Sequence, residues 1–187
     1  DSFSDGGRYG SPEVAVEEAV RMVENGADII DIGGESSRPG SDPVPLEEEL
    51  RRVIPVIRGL AGRIGVPISV DTMKAGVARD AVTEGAEIIN DISSFNYDRQ
   101  MAKVVADTGA AAILMHMRGT PKTMQAGDLT YRCLWGEIIS FLGSSIERAC
   151  EGGVDPEQIM VDPGLGFGKS ALDNVRLIRR LSELRIL

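Results

Sequence analysis

The stretch Pro67-Ile68-Ser69-Val70-Asp71-Thr72 decides the fold that the sequence predicts. Its β-branched residues and the preceding Gly65 indicate a short strand buried on both faces, with Asp71 where the strand leaves the core. Four other apolar runs share this design and end in hydrogen-bonding side chains, namely Glu35, Asn90-Asp91, His116 and Asp162. Because ligands bind at the edge where the carboxyl ends of parallel strands meet, these side chains predict a ligand site.

Helices are predicted between all of these strands. Ser11-Pro12-Glu13 combines an N-cap residue with a proline at the first helical position, which is typical of a helix start. The hydrophobic pattern then predicts strands over 27–33, 66–72, 87–92, 111–116 and 158–162, and further helices over 46–60, 74–85, 99–108, 131–151 and from about Asp173. Strands joined by single helices predict right-handed crossovers and a parallel sheet.

The predicted fold class is α/β, and the predicted architecture is a (β/α)8 TIM barrel. An open doubly wound sheet usually holds its ligand groups at one point, whereas here nearly every strand contributes one. A barrel needs eight strands and about 250 residues, and the 187 residues supply about five strands and six helices. We therefore expect residues 1–187 to form a single barrel domain that is incomplete at both ends, without the first strand and the last two βα units.

The composition excludes several classes of protein. Twenty Lys and Arg residues against 29 Asp and Glu residues give a net charge of −9, which argues against non-specific binding to nucleic acid. No apolar run approaches the ~20 residues that cross a bilayer, and no signal peptide is visible. We expect a cytoplasmic protein in which Cys133 and Cys150 are reduced thiols. With one histidine, His116, the chain cannot form a site with several histidine ligands.

The polar residues Asp71, Asn90 and Asp162 form the strongest candidate site. A carboxylate accepts two hydrogen bonds at once and suits a ligand edge with adjacent N–H donors, while an asparagine offers a donor and an acceptor side by side. Together they predict a flat, nitrogen-rich ring bound in the mouth of the barrel. The alternative is that each residue caps a helix or a loop amide. Asp31 and Asp91 are expected to face helices or structural partners.

Two loops add further candidates. The segment 162–169 contains three glycines, which permit positive φ and close backbone approach. Its Phe167 either packs inward or forms a wall for a planar substrate, and we favour the wall. In the long loop over 34–43, Arg38 is suited to grip an anion such as pyrophosphate, with a solvated arginine as the alternative. The run Glu47-Glu48-Glu49 is interpreted as a charged first helical turn.

Six stretches in a fixed order resemble the dihydropteroate synthase family. They are Asp1-Ser-Phe-Ser-Asp-Gly-Gly7, Asp31-Ile-Gly-Gly-Glu-Ser-Ser-Arg-Pro-Gly40, Ser69-Val-Asp-Thr72, Ile89-Asn-Asp-Ile92, Met115-His-Met-Arg-Gly-Thr-Pro121 and Asp162-Pro-Gly-Leu-Gly-Phe-Gly-Lys169. The resemblance implies an enzyme of folate biosynthesis. It would join 6-hydroxymethyl-7,8-dihydropterin pyrophosphate to p-aminobenzoate, giving 7,8-dihydropteroate and pyrophosphate.

The resemblance also implies roles for individual residues. The pterin would be bound by Asp71, Asn90, Ile92, Met115 and Asp162. The p-aminobenzoate, and the sulfonamides that mimic it, would contact Phe3, Ser37, Pro39 and Phe167. Arg38 would contact the pyrophosphate. Asp5 would be the acid of the first loop, which becomes ordered over the reacting centre. The catalytic candidates are therefore Asp5, Arg38 and Asp71.

The family mechanism implied is dissociative: pyrophosphate leaves with the help of Mg²⁺, and the aromatic amine attacks the resulting pterin methylene cation. No metal ligand is assigned within residues 1–187. The full-length protein is expected to be a homodimer with small-molecule substrates and no nucleic-acid or membrane partner. The family's later lysine, arginine and histidine, which complete its pterin and anion pockets, are absent, so we expect the 187 residues alone to be inactive.

Two other functions are compatible with the sequence. A methyltetrahydrofolate-binding methyltransferase domain shares the barrel and a pterin pocket of acid, amide and acid, but does not need the first two loops as they stand here. A truncated barrel that binds a pterin without catalysis is the other alternative.

Overall fold

The computed structural model describes residues 11–187, which form five strands, six α-helices and two short 3₁₀-helices. The strands are β1 (Ile30–Gly33), β2 (Ile68–Asp71), β3 (Ile88–Asp91), β4 (Ala111–Met115) and β5 (Ile159–Asp162). The α-helices are α1 (Pro12–Glu24), α2 (Leu46–Leu60), α3 (Ala75–Thr83), α4 (Met101–Thr108), α5 (Leu134–Glu151) and α6 (Ala171–Arg179), and the 3₁₀-helices span Pro156–Gln158 and Leu181–Ile186. The predicted alternation is confirmed, although every strand is shorter than predicted. None of these helices is long and apolar enough to span a membrane.

All five strands belong to one parallel sheet in the order β1-β2-β3-β4-β5. Each strand therefore pairs with the strand that follows it in the chain. In an open doubly wound sheet the strand order reverses at the point where ligands bind, and no such reversal occurs across residues 11–187. A sequential parallel order with a helix after each strand is the wall of a (β/α)8 barrel, so the predicted partial barrel is confirmed.

Four helices, α3 to α6, begin one to three residues from the predicted starts, and side-chain hydrogen bonds explain the starts of α5 and α6. Helix α6 begins at Ala171 because the hydroxyl of Ser170 accepts a hydrogen bond from the backbone N–H of Asp173 at 3.2 Å. Helix α5 begins at Leu134, and the carboxylate of Glu137 accepts hydrogen bonds from the backbone N–H groups of the two residues before it. A cap of this kind contributes about 1 kcal/mol to stability.

The sheet has a helix-facing side and an inner side, because alternate residues of a strand point to opposite faces. Val70, Ile89 and Ala112 are neighbours in the register and are fully buried in the main core with the helices. The next residue on each strand belongs to an inner row, formed by Gly33, Asp71, Asn90, Ile113 and Met160. The register therefore places Asp71 beside Asn90 on the side away from the helices.

Candidate active site

Asp71 is the last residue of β2 and lies partly buried on the inner face. No hydrogen bond within residues 11–187 engages its carboxylate. The alternative that Asp71 merely caps a helix or a loop amide is therefore wrong for the described part of the chain. A carboxylate with open acceptor sites at the end of a parallel strand is available to a ligand.

Asn90 lies next to Asp71 in the register of the sheet, on strand β3. Its side-chain N–H donates to Asp31 at 3.1 Å. We expected Asp31 to face a helix or a structural partner, but it lies on the inner face and bonds a candidate ligand residue. The carboxylate of Asp91 points the other way and, as predicted, has structural partners: it accepts from the backbone N–H groups of Ser93 at 2.7 Å and of Phe95 at 3.0 Å.

Asp162, the third member of the predicted constellation, is paired with Met115 in the register of β4 and β5. Both residues lie two positions beyond the inner row, and so on the same face of the sheet. One oxygen of Asp162, Oδ1, accepts from the backbone N–H of Gly164 at 2.7 Å. The loop-capping alternative thus holds for this oxygen, while Oδ2 has no hydrogen-bond partner in the described part of the chain.

The electrostatic surroundings of Asp71 disfavour its charged form. Burial raises the pKa of its carboxyl well above the usual range, and the negative charges of Asp31, Asp91, Glu49 and Glu35 raise it further. A ligand that offers N–H donors or developing positive charge favours the ionised carboxylate. The site is therefore suited to an electron-poor, N–H-rich ring and unsuited to an anion at this position.

A pocket joins Asp71 to the long loop after β1. It is lined by Glu35, Ser36, Ser37, Glu49, Asp71, Thr72, Met73, Ile92 and Pro121. The backbone N–H of Gly40 donates to the carbonyl of Pro121 at 3.0 Å, which attaches the loop to the segment after β4. Three predicted site residues, Ser37, Asp71 and Ile92, therefore share one pocket, whereas Arg38 and Pro39 lie on the exposed part of the loop.

A buried ionic network contacts this loop, and the sequence pattern did not predict it. Glu47, Glu48 and Glu49 form the first turn of α2, as predicted, but Glu49 is 0% exposed, and its burial was not predicted. Its carboxylate accepts from the hydroxyl of Thr72 at 2.6 Å and from the ammonium of Lys74, which also donates to Glu35 at 2.6 Å. Helical spacing was the available sign, since Glu49 lies one turn before the buried Val53 on the apolar face of α2.

An apolar cluster forms the other wall of the site. Its buried members are Ile92, Met115, Met124 and Phe167, with Met73 and Met117 packed against them. Phe167 is 8% exposed, so it packs inward, which was the less favoured alternative. Three predicted residues, Ile92, Met115 and Phe167, are thus in one cluster, and any wall for a planar substrate is formed by them jointly.

His116 is buried at the end of β4 and packs edge-on against Phe141, with ring centroids 5.0 Å apart. Burial and, to a smaller extent, the positive charge of Lys169 lower the pKa of the imidazole to about 3. The ring is therefore neutral near pH 7 and cannot serve as a general acid. That His116 has no catalytic role stays a prediction.

Two other predicted site residues, Phe3 and Asp5, lie outside the described part of the chain.

Gly164 carries the close contact between the glycine-rich loop and β4, and replacing it by alanine is expected to destabilise the protein. A Cβ on Gly164 would lie 2.1 Å from the carbonyl oxygen of His116. Gly127 is the matched control, because both glycines have positive φ, +67° and +83°, but a Cβ on Gly127 would meet nothing within 4 Å. We expect Gly164→Ala to cost about 2 kcal/mol more than Gly127→Ala in urea unfolding. Equal losses would contradict the contact.

Comparison with known proteins assigns the class. Residues 1–187 match the sequence pattern of the family described as "Pterin binding enzyme", and the chain belongs to that family. Among its relatives is the dihydropteroate synthase of Synechocystis sp. (strain ATCC 27184 / PCC 6803 / Kazusa), which is 48% identical over 186 residues, covering 99% of this chain and 64% of that protein.

Solved structures of the same kind are also similar. The Yersinia pestis dihydropteroate synthase with a sulfonamide drug complex has a TM-score of 0.94 and 44% identity, covering 99% of this chain and 66% of that one. The Xanthomonas albilineans dihydropteroate synthase with 4-aminobenzoic acid has a TM-score of 0.87 and 45% identity, covering 99% of this chain and 65% of that one. The chain thus spans between 64% and 66% of the length of these three proteins.

Proposed function

We propose that the chain is the pterin-binding barrel of a dihydropteroate synthase, which joins 6-hydroxymethyl-7,8-dihydropterin pyrophosphate to p-aminobenzoate. The observation that carries this proposal is the carboxylate of Asp71, which lies beside Asn90 on the inner face and has no protein partner among the described residues. A pterin has adjacent ring and amino N–H groups on its pyrimidine edge, and such an edge matches the two oxygens of a carboxylate.

The proposed pterin residues are Asp71, Asn90, Ile92, Met115 and Asp162, and the proposed p-aminobenzoate residues are Phe3, Ser37, Pro39 and Phe167. Arg38 is proposed to contact the pyrophosphate, with Asp5 near the reacting centre. Support for adjacent sites comes from Ile92, which lines a pocket with Ser37 and Asp71 and packs in the same cluster as Phe167. The bound 4-aminobenzoic acid of the Xanthomonas albilineans relative is consistent with the second substrate.

The proposed chemistry needs electrostatic stabilisation rather than a nucleophilic side chain. The C–O bond between the pterin methylene carbon and pyrophosphate breaks, and its electron pair leaves with the pyrophosphate. The amine nitrogen of p-aminobenzoate then forms a C–N bond to that carbon and loses a proton. Carboxylates such as Asp71 and Asp162, fixed in advance beside the ring, stabilise the positive charge that develops on the pterin.

We propose Mg²⁺ as a cofactor of the reaction, but we assign it no protein ligands. Across residues 11–187 no group of three or more His, Cys, Asp or Glu side chains could hold a metal ion. The described residues therefore do not fit a resident Mg²⁺ site, and no step above depends on one. Mg²⁺ commonly binds through substrate phosphates with one or two carboxylates, so we propose that it arrives with the pyrophosphate.

The remaining parts of the proposal concern assembly and location. We propose a cytoplasmic homodimer whose ligands are small molecules, including sulfonamides that take the place of p-aminobenzoate. The sulfonamide complex of the Yersinia pestis relative supports the last point.

Binding of both substrates tests the proposed function. Isothermal titration calorimetry of the purified protein is expected to show saturable binding of the pyrophosphorylated pterin, and of p-aminobenzoate in its presence. Binding is the primary readout because residues 1–187 alone are expected to be inactive, and chromatographic detection of dihydropteroate is the second. Binding of methyltetrahydrofolate and a corrinoid protein without binding of the pyrophosphorylated pterin would favour the methyltransferase alternative and contradict the proposal.

A further inference from the structure

Lys169 ends the glycine-rich loop over 162–169, and its side chain has no role in the site as described so far. Only 2% of the residue is exposed. Its ammonium donates to three backbone carbonyl oxygens, those of His116 at 3.1 Å, Gly164 at 2.8 Å and Phe167 at 2.9 Å. Because an ammonium group has three donors, these carbonyls satisfy it completely.

The three carbonyls belong to two separate segments of the chain. His116 follows β4, whereas Gly164 and Phe167 lie in the loop after β5. The loop also packs closely on the first segment, since a Cβ on Gly168 would lie 2.9 Å from the Cβ of Arg118. Lys169 therefore fixes the loop against the end of β4 at the point where the two segments touch.

This arrangement is energetically unusual for a loop residue. Lys169 forms no ion pair within residues 11–187; burial lowers the pKa of its ammonium to about 7, the charge of Asp162 opposes this shift, and Arg118 adds to it. Burying an amine without a paired carboxylate is unfavourable. An apolar residue would avoid the burial of the ammonium but would leave the three carbonyls without this donor. The distinguishing feature of lysine here is therefore that one group holds three carbonyls in a fixed geometry.

Resting on the proposed function, we infer that Lys169 is a positioning residue for the p-aminobenzoate site. It holds the backbone of Phe167, and the phenyl ring of Phe167 packs in the cluster with Ile92 and Met115 beside the pterin residues. The polar pterin residues Asp71, Asn90 and Asp162 are held by strands β2, β3 and β5, and none of them accepts a described hydrogen bond from Lys169. Loss of the ammonium is therefore expected to weaken binding of the second substrate far more than binding of the first.

The test separates the two substrates in a variant that lacks the ammonium. Lys169→Met keeps an unbranched side chain that is one atom shorter and removes all three donors. We expect its dissociation constant for p-aminobenzoate, measured in the presence of 6-hydroxymethylpterin and pyrophosphate, to rise about tenfold. Its dissociation constant for 6-hydroxymethylpterin is expected to change less than twofold. Hydrogen–deuterium exchange of residues 163–168 is expected to accelerate.

Chemical rescue distinguishes positioning from a general loss of stability. In Lys169→Ala, propylammonium can occupy the vacated space and donate to the same carbonyls, so it is expected to restore affinity for p-aminobenzoate, whereas propanol is not. Lys103→Met is the matched control, because Lys103 is exposed and forms its ion pair within residues 11–187 with Asp107. Its binding of both ligands is expected to equal that of the unaltered protein. If Lys169→Met does not fold, Lys169→Arg replaces it, since the larger, planar guanidinium does not fit the position of the ammonium among the three carbonyls without moving the loop.

Two results would contradict the positioning role of Lys169 without contradicting the proposed function. Equal weakening of both ligands in the Lys169 variants, or no weakening of p-aminobenzoate, contradicts a positioning role while leaving the proposed function intact. Failure of the unaltered protein to bind p-aminobenzoate contradicts the proposed function and the inference with it.

Discussion

Replacing Lys74 by methionine is expected to lower the free energy of unfolding by about 3–5 kcal/mol. The ammonium of Lys74 donates to Glu35 and to Glu49, and the exposed fractions of these three side chains are 12%, 11% and 0%. Methionine has a similar volume but leaves the carboxylates of Glu35 and Glu49 without this cation in a buried environment. Removing one partner of a buried ionic group exposes the remaining charge to the full cost of desolvation.

The protonation state of Lys74 supports this expectation. Burial by itself lowers the pKa of the ammonium, but the hydrogen bonds to Glu35 and Glu49 and the charges of both carboxylates outweigh burial and raise the pKa above the ordinary value. Lys74 is therefore charged near neutral pH, when the network is complete. The network also reaches Val44, whose backbone N–H donates to Glu35 at 2.8 Å, so it anchors the long loop that carries Ser37 and Arg38.

Urea unfolding followed by circular dichroism measures the effect of the Lys74 substitution. Lys103→Met is again the matched control, because its ion pair with Asp107 is exposed, and a loss below about 0.5 kcal/mol is expected. Adding Glu49→Gln to Lys74→Met is expected to recover part of the loss, since it removes one of the two unpaired charges. A Lys74→Met variant as stable as the control would contradict this expectation and show that water reaches the network.

Replacing Asp71 by asparagine is expected to lower pterin affinity by about 100-fold or more. Each hydrogen bond to a charged group is worth about 1.5–3 kcal/mol, and asparagine has one acceptor where the carboxylate has two. Its amide N–H₂ group would also meet the N–H donors of the ring. The measurement is calorimetric titration with 6-hydroxymethylpterin, which lacks the leaving group and so reports binding alone.

The same substitution is expected to raise stability near neutral pH. Burial and the neighbouring carboxylates raise the pKa of Asp71 in the folded protein, so between the unfolded and the folded pKa the folded state holds the proton that the unfolded state has lost. Stability therefore falls as pH rises through that window, and the loss is complete above the folded pKa. Asparagine cannot ionise and avoids this loss, so a higher melting temperature at pH 7 is expected.

Loss of binding together with a gain in stability separates a ligand residue from a structural one. Asp107→Asn is the control, because Asp107 is exposed and distant from the inner face of the sheet, and its affinity and melting temperature are expected to stay unchanged. An Asp71→Asn protein that binds 6-hydroxymethylpterin normally would contradict the proposed pterin site. A large fall in its melting temperature would instead indicate that the carboxylate stabilises the fold.

The order of elements could be predicted from local sequence because each signal acts over a few residues. Alternating β-branched runs such as Ile68-Ser69-Val70 favour strands, and Ser11-Pro12 starts a helix in any fold. The side-chain period of a strand then placed Asp71 and Asn90 on one face once the strands were paired in parallel. The order of the strands followed from the single helices between them.

The pattern was less informative about polar residues with distant partners. Glu49 belongs to the predicted charged first turn of α2, yet its carboxylate binds Lys74, which is 25 residues away in the chain. Lys169 has three carbonyl partners, one of them 53 residues away. Asp31 was expected to face a helix or a structural partner, but the parity of β1 in the assembled sheet puts it on the inner face next to Asn90.

The sequence by itself determined the alternation of strands and helices, the parallel sheet and the acids and amide at the strand ends. Only the tertiary structure decided which charges are buried, which of them meet, and that Phe167 packs inward with Ile92 and Met115. The physical reason is range: backbone preferences and hydrophobic periodicity depend on near neighbours, whereas the free energy of a buried charge depends on groups that only folding brings within hydrogen-bonding distance.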